Sequence, residues 1–567
     1  MPAKNLRFSL SLFLCFVLIS TSFPLLCLSL ITPAYAQAKR KAASPADKSP
    51  KIKLVLGIVI DQFRYDYLTR FADQFGEGGF KLLTQGGANF TNANYPYTPT
   101  VTACGHAAFM SGAAPNENGI ISNEWYDRET SKRVTSVSDP NTKLLGGKEG
   151  SGSSPHRLLS STIGDQLKLN TNGQSKVIGI SLKDRAAILP AGKKPNGAYW
   201  YNTATGRMVS STYYFNDIPD WVKSFNQTQS ADSYFGRKWE KVLPAAAYAR
   251  SLPDDSPFEK WVHGKTFPHT INGGEAQPGD KFHDQFEATP FANEMVANFA
   301  KLALDNEQLG ADDIPDLLTV SFSANDILGH YAGPNSPEAQ DMTIRTDRIL
   351  ADLFAYVDKK VGLQNTVIAF TADHGAAPIP EHAQTLGLGG RIESKTVTDA
   401  IDRALSKRFG EEKWIALSSY GNIFFDYAVM EKRKASHAEA EQIAAEEVKK
   451  IKGIAECFTR TQILSGQLPR TRVANSVALG FHEKRNGDLV IIQNPFWIFG
   501  ESVLATSHST PYNYDTHVPV IFYGAGIKAG TFHLASSPLD IAPTLATILK
   551  IEFPSNSIGQ VLSEAIK

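Results

Sequence analysis

Asp326 and His330 stand four residues apart, Asp373 and His374 are adjacent, and Asp61 and His517 stand alone. Carboxylate oxygen with imidazole nitrogen is a donor set that suits zinc, and six such residues are enough for two ions. Any one of these signals is weak, since an Asp-His pair is common in polar turns. Their weight comes from position, because each lies at the border of a short apolar run. Residues 54–60 (LVLGIVI) run into Asp61, 317–322 (LLTVSF) precede Asp326, 366–371 (TVIAFT) precede Asp373, and 518–523 (VPVIFY) follow His517. A second chemistry is offered by Thr102, in the stretch TVTACGHAAF at 100–109. Thr102 is expected where a loop turns into a helix, with unpaired N–H groups and a positive dipole end near its hydroxyl. A hydroxyl is a poor nucleophile at neutral pH, and coordination to zinc would supply the alkoxide.

These residues need a frame. The runs are β-branched and do not alternate, so they read as strands buried on both faces, the mark of a parallel sheet. A fifth run, 177–182 (VIGISL), ends in Lys183-Asp184-Arg185. Helical patterns separate them. The clearest covers 336–360, where Ser336 caps, Pro337 takes the first turn, Glu338 faces the dipole and Gly362 ends it; a shorter one covers 540–550. Strands alternating with helices imply an α/β fold with a doubly wound, mostly parallel central sheet. Ligands gather beyond the carboxyl ends of such strands, where four of the five clusters sit. His517 precedes its strand and must arrive on a loop. Residues 196–290, rich in aromatics, and 383–510, with helices near 396–408 and 437–452 and a strand-like run at 489–492, break the alternation. Both are expected to be inserted cap segments of one catalytic domain over 51–567.

Residues 1–36 read as a signal peptide. Lys4 and Arg7 open it, an apolar stretch follows, and Ala34-Tyr35-Ala36 supplies small residues for cleavage after Ala36. Residues 37–50 are a basic tether expected to be disordered. The protein is therefore expected in the periplasm or outside the cell, as a monomer with no stable membrane insertion after cleavage. Removing Lys4 and Arg7 leaves 55 basic against 57 acidic side chains. That balance gives no electrostatic reason to expect nucleic acid or a charged membrane as partner. Cys104 and Cys457 are no disulfide framework, and both are expected to be free.

Seven stretches in order, VIDQFRYD, TPTVTACGHAAFMSG, GIISNEWYD, SLKDRAAILPAG, ANDILGH, TADHG and YDTHVP, carry a resemblance over residues 51 to 565. The chain resembles the alkaline phosphatase superfamily, and within it the bacterial phosphate-irrepressible alkaline phosphatases with a threonine nucleophile. The resemblance implies two Zn²⁺ per chain, one held by Asp326, His330 and His517 and one by Asp61, Asp373 and His374, with Thr102 lying over the pair. It implies small-molecule phosphate esters as substrates. Thr102 would attack phosphorus, and water would hydrolyse the phospho-threonine.

Preference for monoesters would rest on Asn123, Lys183 and Arg185. With Lys183 and Arg185 two apart at a strand end, both would point to one side, and with the Asn123 amide they would clamp a phosphoryl dianion. The nucleotide pyrophosphatase/phosphodiesterase relatives share the threonine and asparagine but lack the Lys-x-Arg pair. Lys183 is expected to fill the space of the third, magnesium site of serine-type enzymes. His106 is expected to pack or orient the nucleophile turn rather than bind metal, and His508, although near the site in sequence, is set aside. Cys104 does not make a sulfatase, because Thr102 holds the nucleophile position and Cys-x-Pro-x-Arg is absent. The competing readings are a phosphodiesterase or phosphonate monoester hydrolase on the same scaffold, and a non-catalytic phosphate- or sugar-binding surface protein.

Overall fold

The computed structural model describes residues 51–261, 264–500 and 503–567. The expected signal peptide and tether lie outside the described residues. Six strands and four helices position the site: β1 (Leu54–Ile60), α1 (Thr102–Ser111), β2 (Val177–Ser181), α2 (Asp184–Ala191), β3 (Gly197–Asn202), β4 (Asp316–Phe322), α3 (Ala324–Ala332), α4 (Pro337–Lys360), β5 (Thr366–Thr371) and β6 (Val520–Gly524). They belong to an eleven-stranded sheet whose centre runs β6-β5-β1-β4-β2-β3. β5 through β3 are parallel neighbours. β1 and β4 are in step along their whole length, from Leu54 opposite Asp316 to Ile60 opposite Phe322. Every residue of β1, β4 and β5 is buried, which is why their sequences are unbroken apolar runs rather than alternating ones.

The sheet is mixed rather than parallel to its edges. β6 lies antiparallel to β5, and Arg207–Ser211 lies antiparallel to β3. A strand buried on both faces has the same hydrophobic pattern in either direction, so direction follows from the connection. α4 begins where expected, with the Ser336 hydroxyl accepting from Ala339 N–H at 3.0 Å and Pro337 in the first turn.

The aromatic segment at 196–290 starts as part of the main sheet, since β3 and Arg207–Ser211 are two of its strands. Its rings pack on one another: Tyr199 lies 5.4 Å from Trp221 and 5.5 Å from Phe215, centroid to centroid. Segment 383–510 builds a separate four-stranded sheet from Ile415–Ser419, Asn422–Phe425, Leu489–Gln493 and Ile454–Thr459. Ser394–Phe409 and His437–Val448 cover it, and Trp414, Ile401, Phe425 and Ile491 fill the core between them. Cys457 is buried there and Cys104 in the main body, both as free thiols.

Candidate active site

β1, β4 and β5 end side by side, so three acids arrive at one edge of the sheet. Asp61 follows β1 directly and Asp373 comes two residues after β5, both fully buried. Asp326 lies in the first turn of α3, where the helix dipole favours a carboxylate. The four-residue spacing places His330 one turn on along the same face, its Nε2 3.3 Å from Asp326 Oδ1. α1 begins at Thr102, after an extended Val101, and Thr102 is 1 % exposed. A Cβ at Gly105 would sit 2.4 Å from the Asp373 carbonyl oxygen, so glycine there lets α1 press against the Asp373 backbone.

The imidazoles share one hydrogen-bonding scheme. His330 Nδ1 lies 2.9 Å from the Thr506 carbonyl, His374 Nδ1 2.9 Å from the Gly375 carbonyl, and His508 Nδ1 2.7 Å from the Thr100 carbonyl. A carbonyl only accepts, so each ring keeps its proton on Nδ1 and presents the Nε2 lone pair. His374 Nε2 faces Asp61 Oδ1 and Asp373 Oδ2, each at 3.5 Å. These three atoms are buried and have no hydrogen-bond partner among the described residues. Three acceptors turned towards one another with no donor between them is an arrangement that fits a cation. The ligand atoms of Asp61, Asp373 and His374 lie within 4.8 Å of one another, as do those of Asp326, His374 and His508.

His508, not His517, reaches this cluster. Its ring stacks on that of His374 at 3.5 Å, with Nε2 3.6 Å from Asp326 Oδ1. The expectation for His517 is corrected by its surroundings. The short helix Asn513–Thr516 turns the chain before it, its ring stacks on Tyr65 at 4.6 Å, and its Nε2 lies 2.9 Å from the Thr91 carbonyl. That nitrogen is engaged by a carbonyl, and among the described residues His517 belongs to neither group of ligand atoms that lie within 4.8 Å of one another. Both histidines occur within SHSTPYNYDTH, and residue types alone do not separate them.

Lys183 Nζ sits 2.7 Å from Asp61 Oδ2, 2.5 Å from Asp326 Oδ2 and 3.3 Å from the Thr102 hydroxyl. Burial alone would depress its pKa, but Asp326 and Asp61 outweigh it and hold the ammonium above its ordinary value. The Asp373 pKa is also raised, but here burial itself drives the shift, and the neighbouring Asp61 charge adds to it. Burial lowers His374 to about 3, so the ring is neutral.

The expected strand-end alternation of Lys183 and Arg185 does not occur. α2 starts at Asp184, so Lys183 is the residue before the first turn and Arg185 lies within it. Arg185 is partly buried, its guanidinium 3.7 Å from the Asp184 carboxylate and its Nε without a hydrogen-bond partner among the described residues. Asn123 is tied to the nucleophile turn, its Oδ1 accepting from Ala103 N–H at 2.9 Å. His106 bridges Thr102 O (2.9 Å) and Ser321 Oγ (2.8 Å), bracing α1 against β4.

Two residues escaped the sequence reading. Gln62, left-handed at φ 60°, donates its N–H to Asp373 at 3.0 Å and its amide to Asp326 at 2.6 Å. A Cβ at Gly329 would lie 1.9 Å from the Gln62 side-chain oxygen, so that glycine makes its room. Tyr420, on the inserted sheet, takes a hydrogen bond from Asn123 Nδ2 at 3.1 Å. A glutamine beside the first aspartate was a readable signal; nothing local marks Tyr420.

The type I phosphodiesterase/nucleotide pyrophosphatase family profile matches residues 55–517. The alkaline phosphatase PafA of Elizabethkingia meningoseptica is 37 % identical over 92 % of this chain and 96 % of its own length. The alkaline phosphatase PhoV of Synechococcus elongatus is 36 % identical over 96 % of this chain and 99 % of its own. A crystal structure of alkaline phosphatase PafA superposes with a TM-score of 0.85 at 36 % identity, covering 91 % of this chain and 99 % of that one. Together with a strand-end cluster of buried acids and imidazoles beside a helix-initiating threonine, these likenesses establish that the chain belongs to the type I phosphodiesterase/nucleotide pyrophosphatase family of the alkaline phosphatase superfamily.

Proposed function

We propose that the protein is an exported alkaline phosphatase that hydrolyses phosphate monoesters through a phospho-threonine at Thr102. Asp61, Asp373 and His374 would hold one Zn²⁺, and Asp326, His330 and His508 the other, with the Thr102 hydroxyl reaching the pair. The observation that carries this reading is the set of orphaned acceptor atoms on Asp61, Asp373 and His374 beside Thr102. When bound, two zinc ions would lower the pKa of the Thr102 hydroxyl and balance charge on the attacking and leaving oxygens.

Asp61 and Asp326 flank the single Lys183 ammonium, so the floor carries surplus negative charge even with the Asp373 carboxyl protonated. A phosphate dianion is repelled from such a floor until cations offset it, so substrate binding and metal loading are coupled. Thr102 sits at the start of α1, where the positive end of the helix dipole favours an anion, while the Ala103 N–H is taken by Asn123 Oδ1. The Lys183 Nζ lies 3.3 Å from the Thr102 oxygen and is placed to neutralise charge on it or on a non-bridging phosphoryl oxygen. It also stands between Asp61 and Asp326, which supports a two-metal site with a lysine in place of a third ion. Asn123 and Arg185 complete the contacts to the phosphoryl group, and a monoester, with one more charged oxygen than a diester, gains more from them.

The family profile also favours a second reading, a phosphodiesterase on the same scaffold. One comparison separates them: zinc-loaded protein is given an aryl phosphate, its methyl diester and an aryl sulfate. The monoester is expected to be cleaved fastest, and dialysis against a strong chelator should abolish the activity until Zn²⁺ is restored. Faster cleavage of the diester would put the second reading first, and full activity in metal-free protein would end both. Among the described residues no helix is long and apolar enough to cross a membrane. Cleavage after Ala36 would release the chain into the periplasm or medium, which mass spectrometry of native material would reveal as a start at Gln37.

A further inference from the structure

Beside His508 opens a cavity of about 240 Å³. Its walls come from two parts of the molecule. Glu124 belongs to the main body, Ser418, Tyr420, Ile423 and Phe499 belong to the inserted segment, and His508 lies where that segment returns to the metal-ligand cluster. Tyr420 and Gly421 are the two-residue turn between Ile415–Ser419 and Asn422–Phe425, at φ 47° and 76°. Both angles are left-handed, as the commonest hairpin turn requires, and Asn-Gly is the usual occupant. A tyrosine at such a position calls for a reason outside the turn. Its hydroxyl supplies one, since it accepts from Asn123 Nδ2 at 3.1 Å.

We propose that this cavity receives the alcohol half of the ester, that it takes an uncharged single-ring alcohol, and that Tyr420 is a positioning residue for Asn123. The proposal rests on the phosphatase reading above. A group attached to a phosphoryl held near Thr102 and Asn123 has this cavity as its neighbouring space, because His508 of the Asp326–His374–His508 group lines it and so does Tyr420, the partner of Asn123. The volume lies below the 300–1,000 Å³ typical of sites for larger organic ligands, so one ring fits where a whole nucleoside does not. The lining is amphipathic: Ile423 and Phe499 offer an apolar surface, and serine hydroxyls face it. The Glu124 carboxylate is already paired with Arg133 Nε at 2.8 Å, and among the described residues no lysine or arginine lines the cavity, so a leaving group that bears a second phosphate finds no cation to receive it. Tyr420 touches both functions, as one wall of the cavity and as the brace that fixes which way the Asn123 amide points.

The test uses zinc-loaded full-length protein and three monoesters: methyl phosphate, phenyl phosphate and a hexose monophosphate. Ser418→Trp fills the cavity without touching the cluster. It should lower kcat/KM for the phenyl and hexose esters tenfold or more while changing methyl phosphate less than twofold. Ser394→Phe, at an exposed position on the same wall, should act in the same direction and serves if the tryptophan variant does not fold. Tyr420→Phe should cost all three esters the same severalfold loss, and none when Asn123 is already alanine. Equal effects of Ser418→Trp and Ser394→Phe on all three esters, or none on any, would overturn the cavity assignment. A Tyr420→Phe loss that persists undiminished in the Asn123→Ala background would overturn the positioning role. Wild-type protein that cleaves the methyl diester but none of the monoesters would remove the reading beneath both, and that result is seen before any substitution is made.

Discussion

Replacing His508 by alanine removes one neutral imidazole Nε2 from the cluster and the ring that stacks on His374 at 3.5 Å. Structural zinc bound by four ligands in peptides carries an apparent free energy of about 10–16 kcal/mol. One ligand's share is therefore roughly 3 kcal/mol, or about a hundredfold in dissociation constant. Replacing His517 instead removes the contact to the Thr91 carbonyl and the stacking on Tyr65. Those are worth about 1 kcal/mol and about 0.5–1.5 kcal/mol of folding stability, with no ligand lost. The two variants should thus separate cleanly. His508→Ala should bind its second zinc about a hundredfold more weakly, read as bound metal after equilibration in a series of chelator-buffered zinc concentrations. His517→Ala should hold both ions like the parent and unfold at a lower temperature. A His517→Ala protein that loses zinc while His508→Ala retains it would refute the assignment of the ligands from ring geometry.

Thr102→Ala should fold and bind zinc yet form no acid-stable phosphoprotein from labelled substrate, with a rate loss of several powers of ten; label trapped on another residue, such as Ser111, would contradict the nucleophile. Lys183→Ala with Arg185→Ala should harm monoester more than diester hydrolysis, since each charge-assisted contact is worth roughly 1.5–3 kcal/mol, about ten- to a hundredfold in rate; equal losses would mean that the pair supports structure or general binding. Away from the site, burial and then the nearby Glu338 charge raise the Glu259 pKa from 4.5 to about 9, so the folded protein keeps a proton that the unfolded chain releases. Its contribution to stability is present in full below pH 4.5 and is lost as pH rises towards 9. Glu259→Gln should flatten that alkaline decline in melting temperature, and an unchanged pH profile would contradict the buried, protonated carboxyl.

How much of this was legible depended on what holds each residue. Asp61, Asp326 and Asp373 were readable because each is fixed by the end of a strand or the first turn of the following helix. The strands announce themselves as unbroken apolar runs, and their in-step parallel register carries the three acids to one edge. The direction of β6 was not readable, since burial on both faces leaves no trace of polarity. The Lys183/Arg185 geometry was misjudged by a short extension of the strand. α2 begins at Asp184, so Arg185 lies in a helical turn instead of two places along a strand from Lys183.

The choice between His508 and His517 was beyond local pattern for a different reason. His508 is held by contacts hundreds of residues apart in sequence: its Nδ1 meets Thr100, and Ala505 N–H, three residues before it, donates to the His330 carbonyl at 2.7 Å. Tyr420 is held in the same way, by a hydrogen bond spanning 297 residues to Asn123. The floor of the site is thus built on strand ends, where sequence pattern specifies position, and its rim on loops, where only the closed fold does. An inserted sheet can change shape at its hairpin tips without moving the strands beneath, because its core of Trp414, Ile401 and Ile491 is separate from the core of the main sheet. On this account the floor determines that a phosphoryl group is transferred, and the wall around Ser418 determines which alcohol leaves.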